Sequence, residues 1–146
     1  MLDIFDILGP VMVGPSSSHT AGAVRIGRMA RTLLDGRPVR AEIGLYGSFA
    51  ETGRGHGTDR ALVAGLLGMA PDNLEVPNSF AIAAEQGLEF AFQTVQLRDA
   101  HPNTAVLDVT AEDGHRLVLR AVSTGGGRIR VEQVNGVSVG FTGDFN

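Results

Sequence analysis

The fold turns on the stretch Ala105-Val106-Leu107-Asp108-Val109-Thr110-Ala111-Glu112-Asp113-Gly114-His115-Arg116-Leu117-Val118-Leu119-Arg120-Ala121-Val122. Ala105, Leu107 and Val109 alternate with polar Asp108 and Thr110, which is the period of a half-buried strand. Asp113-Gly114 is a hairpin turn signal, and Leu117 to Val122 reads as the return strand. Downstream, Ile129, Val131 and Val134 form another strand, which Asn135-Gly136 turns back into Val137-Ser138-Val139. Upstream, Leu88, Phe90 and Phe92 alternate with Glu89 and Ala91.

The first half follows a different period. Ala23, Ile26, Ala30 and Leu33 recur at helical spacing between Ala21 and Asp35, and Gly36 is expected to stop that helix. Gly22 and Gly27 inside it cost about 1 kcal/mol each relative to alanine, so close backbone packing against a neighbour is the expected compensation. Val39 to Tyr46 reads as a strand and Gly47 to Gly57 as a loop. Thr58 and Asp59 are good N-caps for a helix Arg60 to Leu67, apolar all round and ended by Gly68. A further helix runs from Phe80 to Gln86 and ends at Gly87. Helices in the first two thirds and hairpins in the last predict an α+β fold with a mixed or antiparallel sheet, as a single domain over residues 1–146.

Composition narrows the function classes. Hydrophobic residues make up 43% of the 146 and charged residues 19%, below the usual quarter, which favours a chain that covers one face with a partner. The net charge is −4 and no Lys/Arg run forms a basic patch, so nucleic acid is not an expected partner. Arg25, Arg28 and Arg31 are expected to form a solvated helix face. Without cysteine the chain builds no disulfide, iron–sulfur or thiolate–zinc site of its own. Asp3 and Asp6 stand where a signal peptide needs positive charge, and no apolar run reaches the roughly 20 residues of a membrane helix. A soluble, cytoplasmic protein with no membrane partner is the expectation.

The chemistry-bearing candidates lie in loops. His56 stands between Gly55 and Gly57, where missing Cβ atoms let another molecule approach the backbone. The positive end of the helix dipole that follows disfavours its charged form, and a neutral imidazole can accept a proton. The same segment also reads as a Gly-rich turn with an exposed histidine. His19 follows Ser16-Ser17-Ser18 and precedes Thr20, a set of hydroxyls and N–H groups that suits a carboxylate or phosphate, or a serine-rich N-cap. No metal site is indicated by two loop histidines without acidic residues at ligand spacing. A Ser17–His56–Asp59 hydrolase reading lacks a nucleophile elbow. Gly125-Gly126-Gly127 reads as a bulge between strands in preference to an anion-binding nest. His115, on the Asp113-Gly114 turn, is expected to be simply exposed.

Several of these segments occur together with Phe5-Asp6-Ile7-Leu8-Gly9-Pro10, Tyr46-Gly47-Ser48-Phe49-Ala50-Glu51-Thr52-Gly53 and His101-Pro102-Asn103-Thr104. In this order they resemble the β domain of iron–sulfur L-serine dehydratases (L-serine ammonia-lyases) over nearly the whole chain. The resemblance implies conversion of L-serine to pyruvate and ammonia without pyridoxal phosphate. It implies a 4Fe-4S cluster whose cysteines belong to an α chain, and a β subunit inactive without that partner. The chain is also similar to the allosteric substrate-binding domain of some 3-phosphoglycerate dehydrogenases.

Carried over by residue, His56 is the candidate base or proton shuttle and His19 a second catalytic candidate. Ser16, Ser17, Ser18, Thr20, Gly57, Thr58 and Asp59 are substrate contacts, and His101 and Asn103 a regulatory or interfacial contact. The alternative is a non-catalytic module that senses serine or a related anion. Two-chain family members often continue into a regulatory ACT domain. This sequence stops at Gly143-Asp144-Phe145-Asn146, about where such a linker would begin, so that regulation is not carried over. In isolation the chain is expected to form a homo-oligomer, because an apolar face meant for a partner finds a substitute.

Overall fold

The computed structural model describes residues 18–52 and 57–142, with Ser18 and His19 described by main chain only. In chain order the elements are α1 (Ser18–Leu34), β1 (Pro38–Gly47), α2 (Ser48–Thr52), α3 (Thr58–Leu66), a short 3-10 turn (Val76–Asn78), α4 (Ser79–Gln86), β2 (Glu89–Thr94), β3 (Asn103–Ala111), β4 (Arg116–Gly125), β5 (Arg128–Val134) and β6 (Val137–Thr142). The strands form one sheet in the order β2-β1-β3-β4-β5-β6. β1 pairs β2 in parallel and every other neighbour is antiparallel. This is a mixed-sheet α+β fold with its described helices all in the first part of the chain, as the change of period implies.

The hairpin of β3 and β4 sits at the centre of the sheet. Leu107 pairs with Leu119, and both are fully buried. The alternation puts Ala41, Ile43, Leu45, Val109, Leu117, Ala121, Ile129 and Val131 into the same core. The other face carries Arg40, Glu42, Asp108 and Arg116, linked by pairs such as Arg116–Asp108 at 2.5 Å. Among the described residues the helices therefore cover one face only. α1 packs on β3, β4 and β5, while Phe80 of α4 meets Phe90 and Phe92 of β2 at ring separations of 4.7 and 6.0 Å. α3 lies between α1 and α4 and is buried from Ala61 to Leu66, as its all-round apolar sequence requires. Among the described residues no helix is long and apolar enough to cross a membrane.

The glycines of α1 and α3 decide how these helices meet. A Cβ on Gly27 would stand 2.3 Å from the Leu62 carbonyl oxygen, and one on Gly65 would stand 2.1 Å from that of Val24. The helices thus touch backbone to backbone, which is the expected compensation for glycine in α1. Contacts rise together along both chains: Thr20 beside Gly57, Gly27 beside Gly65, then Arg31, whose Nη1 donates to the Leu66 carbonyl at 2.8 Å. The two helices run in the same direction, with their N-termini at one end of the fold.

Several local expectations are corrected. Residues 48–52 form α2 rather than loop. The left-handed residue after α1 is Asp35, at φ 54°, and not Gly36. The N-cap of α3 is Gly57, at φ 102°, so Thr58 and Asp59 are its first helical residues. The expected irregularity lies at Ser123–Gly125, where the register shifts, but Gly126 and Gly127 go on to form the β4–β5 turn. Arg25 and Arg31 are half-buried and bonded to carbonyls, and only Arg28 of the three is exposed. His115 is exposed, as expected, and is also anchored, as described below.

Candidate functional site

The topology collects the segments of interest at one end of the sheet. β1 and β4 finish there and β3 begins there, since Tyr46 pairs with Thr104 and Thr104 with Val122. α1 starts at the same end. A Cβ on its Gly22 would stand 2.3 Å from Oγ of Ser123, near the end of β4. α3 starts there too, because a Cβ on Gly57 would lie 3.8 Å from Thr20 Oγ1. The Ser18–Thr20 and Gly57–Asp59 segments therefore enter neighbouring parallel helices side by side. Ser16, Ser17 and His56 lie outside the described residues; His56 is bonded to Gly57 and Ser17 to Ser18 in the sequence.

Each described member is held by identifiable contacts. Gly57 adopts a left-handed conformation that a side chain would strain, and its carbonyl accepts the Ala61 N–H at 2.9 Å to open α3. Asp59 is buried in the first turn, where its charge complements the helix dipole, and its Oδ1 accepts the Arg60 N–H at 2.7 Å. The Arg60 guanidinium lies over the Phe80 ring at 4.7 Å. Thr58 is buried beside it, and Thr20 is half-buried.

The His101–Asn103 segment lies at the same end of the sheet. Gly47, at φ 63°, leaves room for Pro102, whose carbonyl oxygen would be 2.5 Å from a Cβ there. That carbonyl accepts the Phe49 N–H at 3.4 Å, which docks the segment onto α2. His101 Nδ1 accepts the Asn103 N–H at 3.0 Å, which orients the ring. Thr104 Oγ1 donates to the His101 carbonyl at 2.6 Å. The direct approach is between Thr20 and Gly57; His101 and Asn103 share their end of the sheet. Ser123 and Arg25 were missed by the reading of the sequence. No local pattern distinguishes a serine in a strand, or an arginine in a helix, that meets a distant element.

The opposite end carries the remaining histidine. His115 Nε2 donates to the Leu34 carbonyl, the last residue of α1, at 2.5 Å, and Nδ1 donates to Asp113 Oδ1. A ring that donates from both nitrogens is protonated. The hydrogen bond to Leu34 first, then that to Asp113, raises the His115 pKa above 6.5. The backbone N–H of His115 and then its ring lower the Asp113 pKa below 3.8.

Among the described residues no group of three or more His, Cys, Asp and Glu is arranged to hold a metal ion. With no cysteine anywhere in the sequence, the chain offers no thiolate for an iron–sulfur cluster.

Comparison with known proteins gives the class. A family model described as the serine dehydratase beta chain matches residues 1–134. The chain is 45% identical over 141 residues to a probable L-serine dehydratase beta chain of Bacillus subtilis, covering 97% of this chain and 64% of that one. It is 41% identical over 143 residues to the L-serine dehydratase beta chain of Peptoniphilus asaccharolyticus, again 97% of this chain and 64% of that one. L-serine dehydratase 2 of Escherichia coli matches at 40% over 82 residues, 52% of this chain and 18% of that one. The chain thus spans 64% of the length of these two beta chains. It belongs to the serine dehydratase beta chain family.

Proposed function

We propose that this chain is the β subunit of an iron–sulfur L-serine dehydratase, converting L-serine to pyruvate and ammonia with an α chain that holds the 4Fe-4S cluster. The observation that carries the reading is the side-by-side entry of α1 and α3, with Thr20 beside Gly57. Two helix N-termini at one place favour an anion, and the substrate carboxylate is one. The cluster, when bound by the partner, supplies a Lewis acid for the departing hydroxyl. This chain's residues do not fit that group, and their part is binding and proton transfer.

In this reading Ser16, Ser17, Ser18, Thr20, Gly57, Thr58 and Asp59 hold the substrate, and His56 takes the α-proton. His19 is assigned to the substrate boundary, and His101 and Asn103 to an interfacial or regulatory contact. Loss of the α-proton from a weakly acidic carbon needs a base near neutral pH, the role that a histidine beside a helix N-terminus suits. The chain works in the cytoplasm and is inactive alone. Self-association in isolation is supported by exposed Val137, Val139 and Phe141 along the edge strand β6.

The test is reconstitution with the α chain. The assembly is expected to release pyruvate from L-serine, and His56→Ala to lower kcat by about two to four decades with the cluster intact. An unchanged kcat removes His56 as the base; pyruvate from this chain alone removes the two-chain reading.

A further inference from the structure

The arginines of α1 differ in what they do. Arg28 is exposed, Arg31 ties α1 to the end of α3, and Arg25 reaches across to the sheet. Its Nη1 donates to the Gly127 carbonyl at 2.6 Å, a bond between residues 102 positions apart. The turn that presents this carbonyl is unusual. Gly125, Gly126 and Gly127 take φ of 98°, 64° and 77°, a run that only glycine adopts without strain. A Cβ on Gly127 would stand 2.8 Å from Arg25 Nη1 and 3.5 Å from Ala21 Cβ. The turn therefore rests on the first turns of α1, at Ala21 and Arg25. One turn of helix away, Gly22 sits against Ser123.

We infer that Arg25 is a positioning residue, which clamps the triple-glycine turn to α1 and so fixes where the Thr20 end of that helix stands relative to Gly57 and α3. The inference rests on the substrate-binding reading of that end, and it adds a residue outside it. The Gly22–Ser123 approach and the Arg25–Gly127 bond both hold the α1 entrance against the sheet. The first is a close approach that leaves no room for a side chain at Gly22. The second is directional and charge-assisted, so it holds the register. Released from it, α1 keeps its glycine contact with α3 at Gly27, and the entrance shifts by a small amount. A small misplacement of the Thr20 end weakens substrate binding, while α3 keeps its own contacts at Gly65 and with α4.

The experiment uses the α and β chains assembled, with Arg25→Met and Arg25→Lys in the β chain. Arg25→Met is expected to raise KM for L-serine about tenfold and leave kcat within about twofold. Arg25→Lys, which keeps one donor for the carbonyl, is expected to recover most of that loss. Hydrogen exchange at Ala21–Arg25 and Gly125–Gly127 is expected to quicken in Arg25→Met and not elsewhere in the sheet. A KM within twofold of the unsubstituted assembly, or exchange unchanged at both segments, overturns the inference. So does a loss confined to kcat that lysine does not rescue. If Arg25→Met does not fold, Arg25→Gln replaces it under the same criteria. An unsubstituted assembly that fails to act on L-serine counts against the functional reading, and the exchange measurement then decides the clamp by itself.

Discussion

The two ends of this fold are built from the same elements and behave differently. At one end α1 and α3 begin beside the ends of β1 and β4, and glycines admit the close approaches: Gly22 to the Ser123 side chain and Gly47 to the Pro102 backbone, with Arg25 bonded to the Gly127 carbonyl. At the other end α1 finishes against the β3–β4 turn, and the contact is a charged side chain, His115, on the Leu34 carbonyl. Helix N-termini present N–H groups and favour anions, whereas C-termini present carbonyls and favour cations. The first end is thus suited to an anion, such as the carboxylate of the proposed substrate. The second is satisfied from within by an imidazolium.

This contrast breaks most sharply at the helix crossing. Gly65→Ala places a methyl 2.1 Å from the Val24 carbonyl oxygen, so α1 and α3 must part. Unfolding experiments are expected to show a loss of about 1–3 kcal/mol, the usual range for overpacking. Serine turnover by the assembly is expected to fall at least tenfold, because the Thr20 and Gly57 entrances separate. Full activity in a stably folded Gly65→Ala chain would contradict the role given to the crossing.

A matched pair of turn glycines sharpens it. Gly126 at the first end and Gly114 at the second have φ of 64° and 96°, and an added Cβ meets nothing at either. Alanine at each is expected to cost about 1 kcal/mol through backbone strain, read as a lower Tm. KM for serine is expected to rise only with Gly126→Ala, whose turn rests on α1. Equal kinetic effects from both would remove the distinction between the ends.

The smallest effect is at His115. Its raised pKa means that its contribution is fully present below about 6.5 and is lost as pH rises through the higher folded value. Asp113, with a lowered pKa, contributes above about 3.8 and ceases to do so as pH falls through its lower folded value. A shallow stability maximum between these limits is expected in Tm against pH. His115→Gln is expected to flatten its alkaline side without changing serine turnover.

Much of this was legible in the sequence where the signal is periodic. Alternation from Ala105 to Val122 specifies a strand pair, and Asn135-Gly136 specifies the turn between β5 and β6, at φ of 52° and 82°. Glycine inside α1 announced a close backbone approach before any neighbour was known. α2 escaped notice because five residues are too few to show a helical period. Arg25 and Arg31 were misread, and the anchoring of exposed His115 went unseen, for one reason. Spacing tells which face a residue occupies, but their bonding partners lie 102, 35 and 81 positions away. The loops carrying the candidate site were recognisable one at a time from their histidines, serines and glycines. Their convergence was not, because it depends on which helices cross and in which direction.

The central claim is that the two loops enter one site, and the absence of native cysteine permits a direct measurement. The Cβ position at Gly57 is 3.8 Å from Thr20 Oγ1, close enough for a disulfide between cysteines at these positions. In Thr20→Cys/Gly57→Cys, mild oxidation is expected to close an intramolecular disulfide, seen as loss of both free thiols in a monomer-sized species. Thiols that stay reduced, or that link only one chain to another, would contradict the convergence of α1 and α3.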